Sequence, residues 1–242
     1  ILVTKFFSVM KLSIIMPVYN EENSIAAILA KVMKQPVLGL DKEIIVVDDG
    51  SRDRSKRIIE EVIKKHPKAG IRFFKHEKNQ GKGAAVRTGI REAHGDIILI
   101  QDSDLEYDPK IYPELLKPIL NGETKVVYGS RLLGHHIDMY WLHKFGNDFL
   151  TFVTNMLYGV KISDMETGYK VFRKDVVKDM KLKARAFDFE PEITCKILKR
   201  RYRIKEVPVP FDNPRSFKEG KKIDWRDGVQ HIYYLFKYRF FD

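Results

Sequence analysis

Three short acidic segments each follow a predicted buried strand. The strands are predicted at residues 12–17, 43–47 and 96–101, and the segments behind them are Asn20-Glu21-Glu22, Asp48-Asp49 and Asp102-Ser103-Asp104-Leu105-Glu106. Because an open parallel sheet binds ligands at the carboxyl ends of its strands, we expect these side chains to share one site. Crowded carboxylates need cations to offset their repulsion, and such a cluster suits Mg²⁺ or Mn²⁺ held together with substrate phosphates. Capping aspartates at strand-to-helix turns would explain one segment equally well, but they fit all three together poorly.

A glycine-containing segment, residues 79–85, follows the third predicted strand and opens a helix. Backbone amides at a helix N-terminus can bind phosphate, so a dinucleotide-binding fingerprint has to be considered. That fingerprint belongs after the first strand, which carries no glycines here. We therefore expect the glycines to permit close packing and Lys82 to lie near a nucleotide.

The elements that must position these residues alternate along the chain. Predicted strands are short, apolar and continuous, as in sheets buried on both faces, and they lie at residues 12–17, 43–47, 71–75, 96–101 and 125–128. Helical stripes such as Ile25, Ile28, Leu29 and Val32 separate them. This alternation predicts an α/β fold with a mostly parallel sheet and helices on both faces.

After residue 128 the pattern predicts further elements: helices at residues 140–158 and 190–201, and strands at residues 169–172 and 203–207. The aromatic residues of helix 140–158 are expected in the core. With no linker rich in proline, glycine or serine, the prediction is one domain over residues 10–222 and an amphipathic segment over residues 223–242. Met10 resembles an initiator residue, so the predicted fold begins there.

The composition restricts the class of protein. The chain has 242 residues, 44% hydrophobic residues and a net charge of +11, so a folded domain that attracts anionic partners is expected. Its basic residues are dispersed and no nucleic-acid-binding motif is present, so a nucleic-acid partner is not expected. The single cysteine, Cys195, cannot form an internal disulfide and points to a reducing, cytoplasmic compartment.

Several motifs occur in an order that resembles the family 2 glycosyltransferases. They are Pro17-x-Tyr19-Asn20-Glu21, Val47-Asp48-Asp49-Gly50-Ser51, Gly81-Lys82-Gly83 and Asp102-x-Asp104. Gly129-Ser130-Arg131, residues 164–170 and Arg215 with Gly220-Lys221 further resemble the polyprenyl-phosphate (dolichol-phosphate) sugar synthases of that family. The resemblance implies a GT-A fold and an inverting transfer of mannose or glucose from a nucleotide sugar, GDP-mannose or UDP-glucose, to a polyprenyl phosphate.

The resemblance also implies roles on the donor side. Asp102 would face the ribose or the diphosphate, and Asp104 would bind the metal. Relatives often carry glutamine two residues further on, where this chain has Glu106, which can still coordinate but adds negative charge. The residues implied to bind the nucleotide are Pro17, Tyr19, Glu21, Val47, Asp48, Asp49 and Lys82.

On the acceptor side, the resemblance implies that Arg131 holds the acceptor phosphate. Lys144 and Asn147 would donate further hydrogen bonds to a phosphate. Arg215 and Lys221 would fold over the diphosphate and acceptor from a loop. Glu190 falls near a position that lines the sugar site in relatives.

Two alternatives remain open from the sequence. An acceptor phosphate is already ionised and needs positioning, whereas a carbohydrate hydroxyl would need a carboxylate base, for which Glu190 or Asp102 could serve. Residues 224–241 carry a helical stripe of Trp225, Val229, Ile232, Tyr233, Phe236 and Phe240. That stripe would either seat the enzyme peripherally on the cytoplasmic face of a membrane or pack against the domain or a second subunit.

Overall fold

The computed structural model describes residues 10–134, 141–211 and 225–241. Within them one mixed sheet has the strand order β3-β2-β1-β4-β6-β5-β7. Its pairs are parallel except those of β6, which runs antiparallel to both β4 and β5. The strands are β1 (Lys11–Val18), β2 (Asp41–Asp48), β3 (Ile71–Lys75), β4 (Ile97–Ile100), β5 (Val126–Ser130), β6 (Lys170–Arg173) and β7 (Ile204–Pro208).

Helices connect these strands, and a 3₁₀ turn (Pro109–Ile111) precedes one of them. The helices are α1 (Ile25–Lys34), α2 (Ser55–Lys65), α3 (Lys82–Glu92), α4 (Tyr112–Leu120), α5 (Trp141–Tyr158), α6 (Lys174–Val177), α7 (Phe189–Lys199) and α8 (Trp225–Phe240). The structure confirms every predicted strand and helix, and their ends differ from the predicted bounds by at most two residues. Helices α4 and α6 were not predicted.

Successive residues of β1 point to opposite faces of the sheet and enter two different cores. Ile14 packs in the core that includes α1 and α4, whereas Ile15 packs in the core that includes α3 and α7. Both faces of the sheet are therefore covered by helices. This burial explains why the strands read as continuous apolar runs, and it confirms the predicted α/β architecture.

Helix α3 lies unusually close to β1. A Cβ atom added at Gly89 would approach Cγ2 of Ile15 to 2.3 Å, because the helix packs its small residues against the strand. Gly83, Ala84 and Ala85 on the same helix are also buried. A Cβ atom at Gly83 would approach the carbonyl oxygen of Ala186 to 2.9 Å, so the glycine segment of residues 79–85 also permits close packing, as the sequence predicted.

Helices α5, α7 and α8 pack together over a third core that contains Leu150, Cys195, Leu235 and Tyr238. Helix α8 falls within residues 224–241, where the sequence carries a helical stripe, and the stripe residue Ile232 packs partly against this core. The packed face is formed by His231, Leu235 and Tyr238, whereas other aromatic residues are exposed on the opposite face: Tyr233 (62%), Phe236 (44%) and Phe240 (62%). The division at residue 222 remains a prediction.

Helix α5 also has an exposed apolar face. Four side chains at helical spacing are exposed: Phe145 (67%), Phe149 (46%), Phe152 (60%) and Met156 (66%). The expectation that the aromatic residues of this helix lie in the core is wrong for these phenylalanines. Among the helices of the described residues, none combines the length and the apolar content needed to cross a membrane.

The contact between α3 and β1 generates a stability prediction. Gly89→Ala should lower the free energy of unfolding by about 1–3 kcal/mol, because the β-branched Ile15 side chain cannot move aside freely. Gly146→Ala is the matched control within α5, where an added Cβ meets no atom within 4 Å. The control should raise stability by up to about 1 kcal/mol through helix propensity. Urea denaturation measures both, and equal stability of the two variants would contradict the close packing.

Candidate active site

The three acidic segments meet at one edge of the sheet, as predicted. Strands β1, β2 and β4 are parallel neighbours, with Val18 opposite Asp48 in the register. The loops behind β1 and β2 are joined by hydrogen bonds, since the amide of Asn20 donates to Ser51 Oγ (3.0 Å) and that of Glu21 donates to Ser55 Oγ (2.7 Å). The carboxyl ends of the strands therefore form a single, preorganised edge.

Asp48 has the most informative position among the residues predicted to bind the nucleotide. Its carboxylate is fully buried; Oδ1 accepts from the amide of Ser51 (2.9 Å), and Oδ2 has no hydrogen-bond partner among the described residues. A buried carboxylate oxygen without a donor is costly unless a ligand supplies one. Asp48 is therefore suited to accept hydrogen bonds from a bound molecule.

The other predicted nucleotide-binding residues of β1 and β2 differ in accessibility. Pro17 lies beside Val47 in the sheet, and the Val47 side chain is fully buried in the core that includes α3. Val47 can therefore contact a ligand through its backbone alone. Glu21 is buried and accepts from Ser24 Oγ (2.6 Å), while Tyr19 is half-buried beside it.

Asp49 is bound to the glycine segment. Its buried carboxylate accepts from the amides of Gln80 (3.0 Å) and Gly81 (2.7 Å), and Nδ1 of His76 lies 2.6 Å from Oδ1. These bonds direct the carboxylate at the glycine segment. Asp49 therefore holds the segment that precedes Lys82, and its predicted contact with a nucleotide stays a prediction.

The glycine segment packs against residues 184–186. Gly81 has φ +97°, and a Cβ atom there would approach the carbonyl oxygen of Arg185 to 2.3 Å. The amides of Gly83 and Ala84 donate to the carbonyls of Ala186 and Arg185. Because these first amides of α3 already have protein partners, the segment anchors the helix and leaves Lys82 to face the site.

A chain of four alternating charges runs through the centre of the site. Lys82 Nζ lies 2.8 Å from Asp102 Oδ1 and 3.1 Å from Glu190 Oε1, and Lys170 Nζ lies 2.5 Å from Glu190 Oε2. Burial alone would lower the pKa of the Lys82 ammonium, but the charges of Asp102 and Glu190 outweigh it and raise that pKa. Lys82 is therefore a permanent cation beside the predicted diphosphate.

Lys170 is a central residue of the site that the sequence did not single out. Its side chain is fully buried and also donates to the carbonyls of Met165 (3.1 Å) and Thr167 (2.5 Å). It belongs to the motif of residues 164–170, so the motif located it, but its role depends on a contact with Glu190 twenty residues away. No spacing rule predicts that contact.

Asp104 and Glu106 lie just beyond the end of β4. Oδ1 of Asp104 accepts from the amide of Glu106 (3.1 Å) in a local turn, and both residues are partly exposed. In the described part of the chain, no three metal-ligating side chains cluster. A site with one or two carboxylates fits Mg²⁺ or Mn²⁺ that takes its remaining ligands from substrate phosphates and water.

Arg131 directly follows β5 and is held by a buried carboxylate. Its Nε donates to Asp164 Oδ2 (2.7 Å) and its Nη2 donates to Asp164 Oδ1 (2.7 Å). The backbone amide of Arg131 also donates to Asp164 Oδ2 (3.0 Å). Burial opposes ionisation of both groups, but their mutual attraction raises the pKa of Arg131 and lowers that of Asp164. The guanidinium is therefore charged and fixed in direction.

Two polar residues of α5 were predicted on the acceptor side. Asn147 is buried, and neither atom of its amide has a hydrogen-bond partner among the described residues. One turn on, Thr151 Oγ1 accepts from the amide of Met165, so this face of α5 lies along the loop that carries Asp164. Lys144 is instead paired with Asp148 (2.7 Å) on the partly exposed side. Asn147 is therefore the better placed of the two to meet a polar ligand.

Helix α8 contacts the same loop. Nδ1 of the buried His231 lies 3.0 Å from Oε2 of Glu166. Glu166 is two residues after Asp164 in the sequence. Sequence reasoning missed this pair because its members are separated by 65 residues. The remaining predicted residues, Arg215 and Lys221, lie outside the described part of the chain and stay predictions.

Comparisons with known proteins identify the family of this chain. The family model described as Glycosyl transferase family 2 matches residues 13–181. A dolichol-phosphate mannosyltransferase of Pyrococcus furiosus is 30% identical over 95% of this chain, which spans 64% of that relative's length. A UDP-N-acetylglucosamine–dolichyl-phosphate N-acetylglucosaminyltransferase of Methanococcus voltae is 29% identical over 81% of this chain and 83% of its own.

A solved structure shares the fold. Glucosyl-3-phosphoglycerate synthase of Mycobacterium tuberculosis, in complex with Mn²⁺, UDP-glucose and phosphoglyceric acid, superposes with a TM-score of 0.73. The match covers 95% of this chain and 80% of that one at 19% identity, so it bears on the fold and confirms the predicted GT-A type. The match of the family model over most of the sheet and its acidic edge settles the wider relationship: this chain belongs to glycosyl transferase family 2.

Proposed function

We propose that the chain transfers a sugar, mannose or glucose, from a nucleoside-diphosphate sugar to a polyprenyl phosphate with inversion at the anomeric carbon. In this reaction an oxygen of the acceptor phosphate bonds to the anomeric carbon while the bond to the diphosphate oxygen breaks. The names of the two relatives share a dolichyl phosphate and differ in the sugar. They support the acceptor class and leave the donor between GDP-mannose and UDP-linked sugars.

The observation that carries the proposal is the pairing of both carboxylates that could act as a general base. Glu190 has a lysine on each oxygen, and Asp102 is paired through Oδ1 with Lys82. A carbohydrate hydroxyl must lose a proton during transfer, so it needs a carboxylate that is free to accept one. An acceptor phosphate is already ionised, so this arrangement favours phosphate over hydroxyl.

On the donor side, the residues have complementary tasks. The unpartnered oxygen of Asp48 would accept from the base or ribose, and Lys82 would stabilise charge that develops on the leaving diphosphate. Asp104, with Glu106, would hold the divalent metal, which supplies further stabilisation of that charge when bound. Lys82 is already fixed by Asp102 and Glu190, so little reorganisation is needed during transfer.

On the acceptor side, Arg131 would direct its guanidinium at the incoming phosphate. Asp164 uses one edge of that guanidinium in two hydrogen bonds and thereby fixes where the other edge points. Arginine is suited to phosphate because its planar donors match phosphate oxygens. Asn147 would add a donor from α5, since its amide has no partner within the described chain.

We further propose that α5 and α8 together seat the enzyme on a membrane. The two helices pack against each other, and each exposes an aromatic face made of Phe145, Phe149 and Phe152 on α5 and Tyr233, Phe236 and Phe240 on α8. Lys237 Nζ lies 5.8 Å from the ring centre of Tyr233, so a basic group borders the exposed aromatic face of α8. Aromatic side chains with basic neighbours favour the interface of an anionic bilayer.

This seating would bring the acceptor to the site from the membrane. His231 on the packed side of α8 contacts Glu166 in the loop that carries Asp164, and Asn147 lies on the inner side of α5. The same two helices therefore border both the proposed membrane surface and the proposed acceptor site. A cytoplasmic location, which the single cysteine suggests, would place the enzyme on the cytoplasmic face.

The function is tested by incubating the chain with Mn²⁺, dolichyl phosphate and either radiolabelled GDP-mannose, UDP-glucose or UDP-N-acetylglucosamine. Label that enters the lipid phase supports the proposal and identifies the donor. Asp104→Asn should reduce this transfer at least about 100-fold, equivalent to about 2.7 kcal/mol of transition-state stabilisation. It should also abolish the Mn²⁺-dependent rise in melting temperature with the corresponding nucleoside diphosphate.

The matched control is Asp41→Asn, an exposed residue at the start of β2 and thus at the opposite edge of the sheet. It should leave both measurements unchanged. Full Mn²⁺ dependence in a folded Asp104→Asn variant would remove the metal assignment, and transfer of label only to a soluble acceptor would overturn the lipid acceptor.

Arg131→Lys tests the acceptor assignment while keeping a positive charge beside Asp164. Loss of the planar donors should raise the KM for dolichyl phosphate about tenfold, equivalent to about 1.4 kcal/mol, with donor affinity unchanged. Arg203→Lys, an exposed position before β7, is the control. Donor affinity that falls while the acceptor KM is kept would reassign Arg131 to the diphosphate.

The membrane surface is tested by Phe145→Ser combined with Phe152→Ser. Flotation with anionic liposomes should fall at least fivefold, because the two most exposed phenylalanines of α5 are lost, whereas the exposed Leu38→Ser control should float normally. Light scattering on the same proteins detects the other possible occupant, a second copy. Unchanged flotation by a folded double variant, or a dimer that the substitutions dissociate, would contradict the membrane contact.

A further inference from the structure

A cleft of about 710 Å³ lies between α3, α6 and residues 178–185. Of the described residues assigned above to the donor, the metal or the acceptor, none lines this cleft. Its volume is in the range of small-molecule sites and exceeds what a single bare ion needs. The cleft is therefore a separate cavity in a part of the molecule that the proposed reaction does not use.

Its lining is strongly basic. Among the residues that the structure describes, no carboxylate lines the cleft, and five permanently basic side chains do: Arg87, Arg91, Lys174, Lys178 and Arg185. Arg91 is paired with Glu92 just outside (3.0 Å), whereas the other four have no carboxylate partner in the described part of the chain. Like charges gathered around one cavity create a positive potential that favours an anionic occupant.

Several of these cations are held in place by the backbone. Arg87 donates through Nη1 to the carbonyls of Lys183 (3.2 Å) and Ala184 (3.3 Å), and Lys174 Nζ donates to that of Ala93 (2.6 Å). Carbonyl oxygens fix the direction of a cation but do not neutralise it. The wall that carries Arg185 is fixed as well, because its own carbonyl accepts from the amide of Ala84 at the start of α3.

We propose that this cleft binds a phosphate-bearing anion, separately from the active site. Arginine guanidinium groups match phosphate oxygens through paired hydrogen bonds, and lysine adds a point charge. The absence of carboxylates from the lining excludes a cation as the occupant, and the mostly polar walls disfavour an apolar ligand. The anion is either a soluble phosphorylated molecule or the phosphate of a lipid headgroup, which present the same chemistry to the cleft.

The test uses the full chain and inorganic pyrophosphate as the probe, in EDTA so that no metal assists binding elsewhere. Isothermal titration should show affinity for pyrophosphate that falls at least tenfold in Lys178→Glu combined with Arg185→Glu. The control is Lys64→Glu combined with Lys65→Glu, which reverses two exposed charges on α2 and should change the affinity less than twofold. Circular dichroism establishes that each variant is folded.

A second arm distinguishes the source of the phosphate. Flotation with vesicles of phosphatidylcholine containing one fifth phosphatidic acid should depend on Lys178 and Arg185 only if a lipid headgroup is the occupant. Loss of pyrophosphate binding with unchanged flotation supports a soluble anion, and loss of flotation supports a headgroup. If the cleft variant binds both probes as tightly as the α2 control, the proposal is overturned.

Discussion

Four charged side chains meet where β4, α3, α7 and β6 converge, and the geometry of the site depends on their pairing. Asp102, Lys82, Glu190 and Lys170 alternate in sign, so each charge is balanced by a neighbour. Removing one member of a buried pair typically costs about 3–5 kcal/mol, because the other charge is left uncompensated. These ion pairs therefore connect four elements that are distant in sequence, and they fix the Lys82 side chain before any substrate binds.

A second pair of buried charges, at the end of β5, is organised on a similar principle. Asp164 holds Arg131 at the end of β5, and Glu206 on β7 accepts from the amides of Ser163 and Asp164, so that the loop itself is anchored. Burial raises the pKa of Glu206, against the hydrogen bonds that favour its ionised form. In the transfer proposed above, fixed charge on both sides of the site would leave positioning, more than proton transfer, as the main task of the protein.

The surface of the molecule carries two further features that differ in chemistry. The exposed aromatic faces of α5 and α8 are apolar with basic neighbours, whereas the cleft beside α3 is basic and largely polar. A net charge of +11 underlies both, because basic residues spread over many elements can gather wherever the fold brings them together. Dispersed lysines and arginines in a sequence thus need not mean a dispersed surface charge.

The sequence by itself determined the succession of strands and helices along the chain, the acidic edge of the sheet and the family motifs. Apolar runs and aspartates at strand ends are local signals, so they can be read without the fold. It placed Asp48, Lys82 and Asp104 at the edge where the structure has them. Only the tertiary structure decided which side of α8 is packed, that Asp49 serves the glycine segment, and that Lys170 reaches Glu190. Those outcomes depend on which elements become neighbours, and contacts between residues 20 to 65 positions apart leave no periodic signal in the sequence.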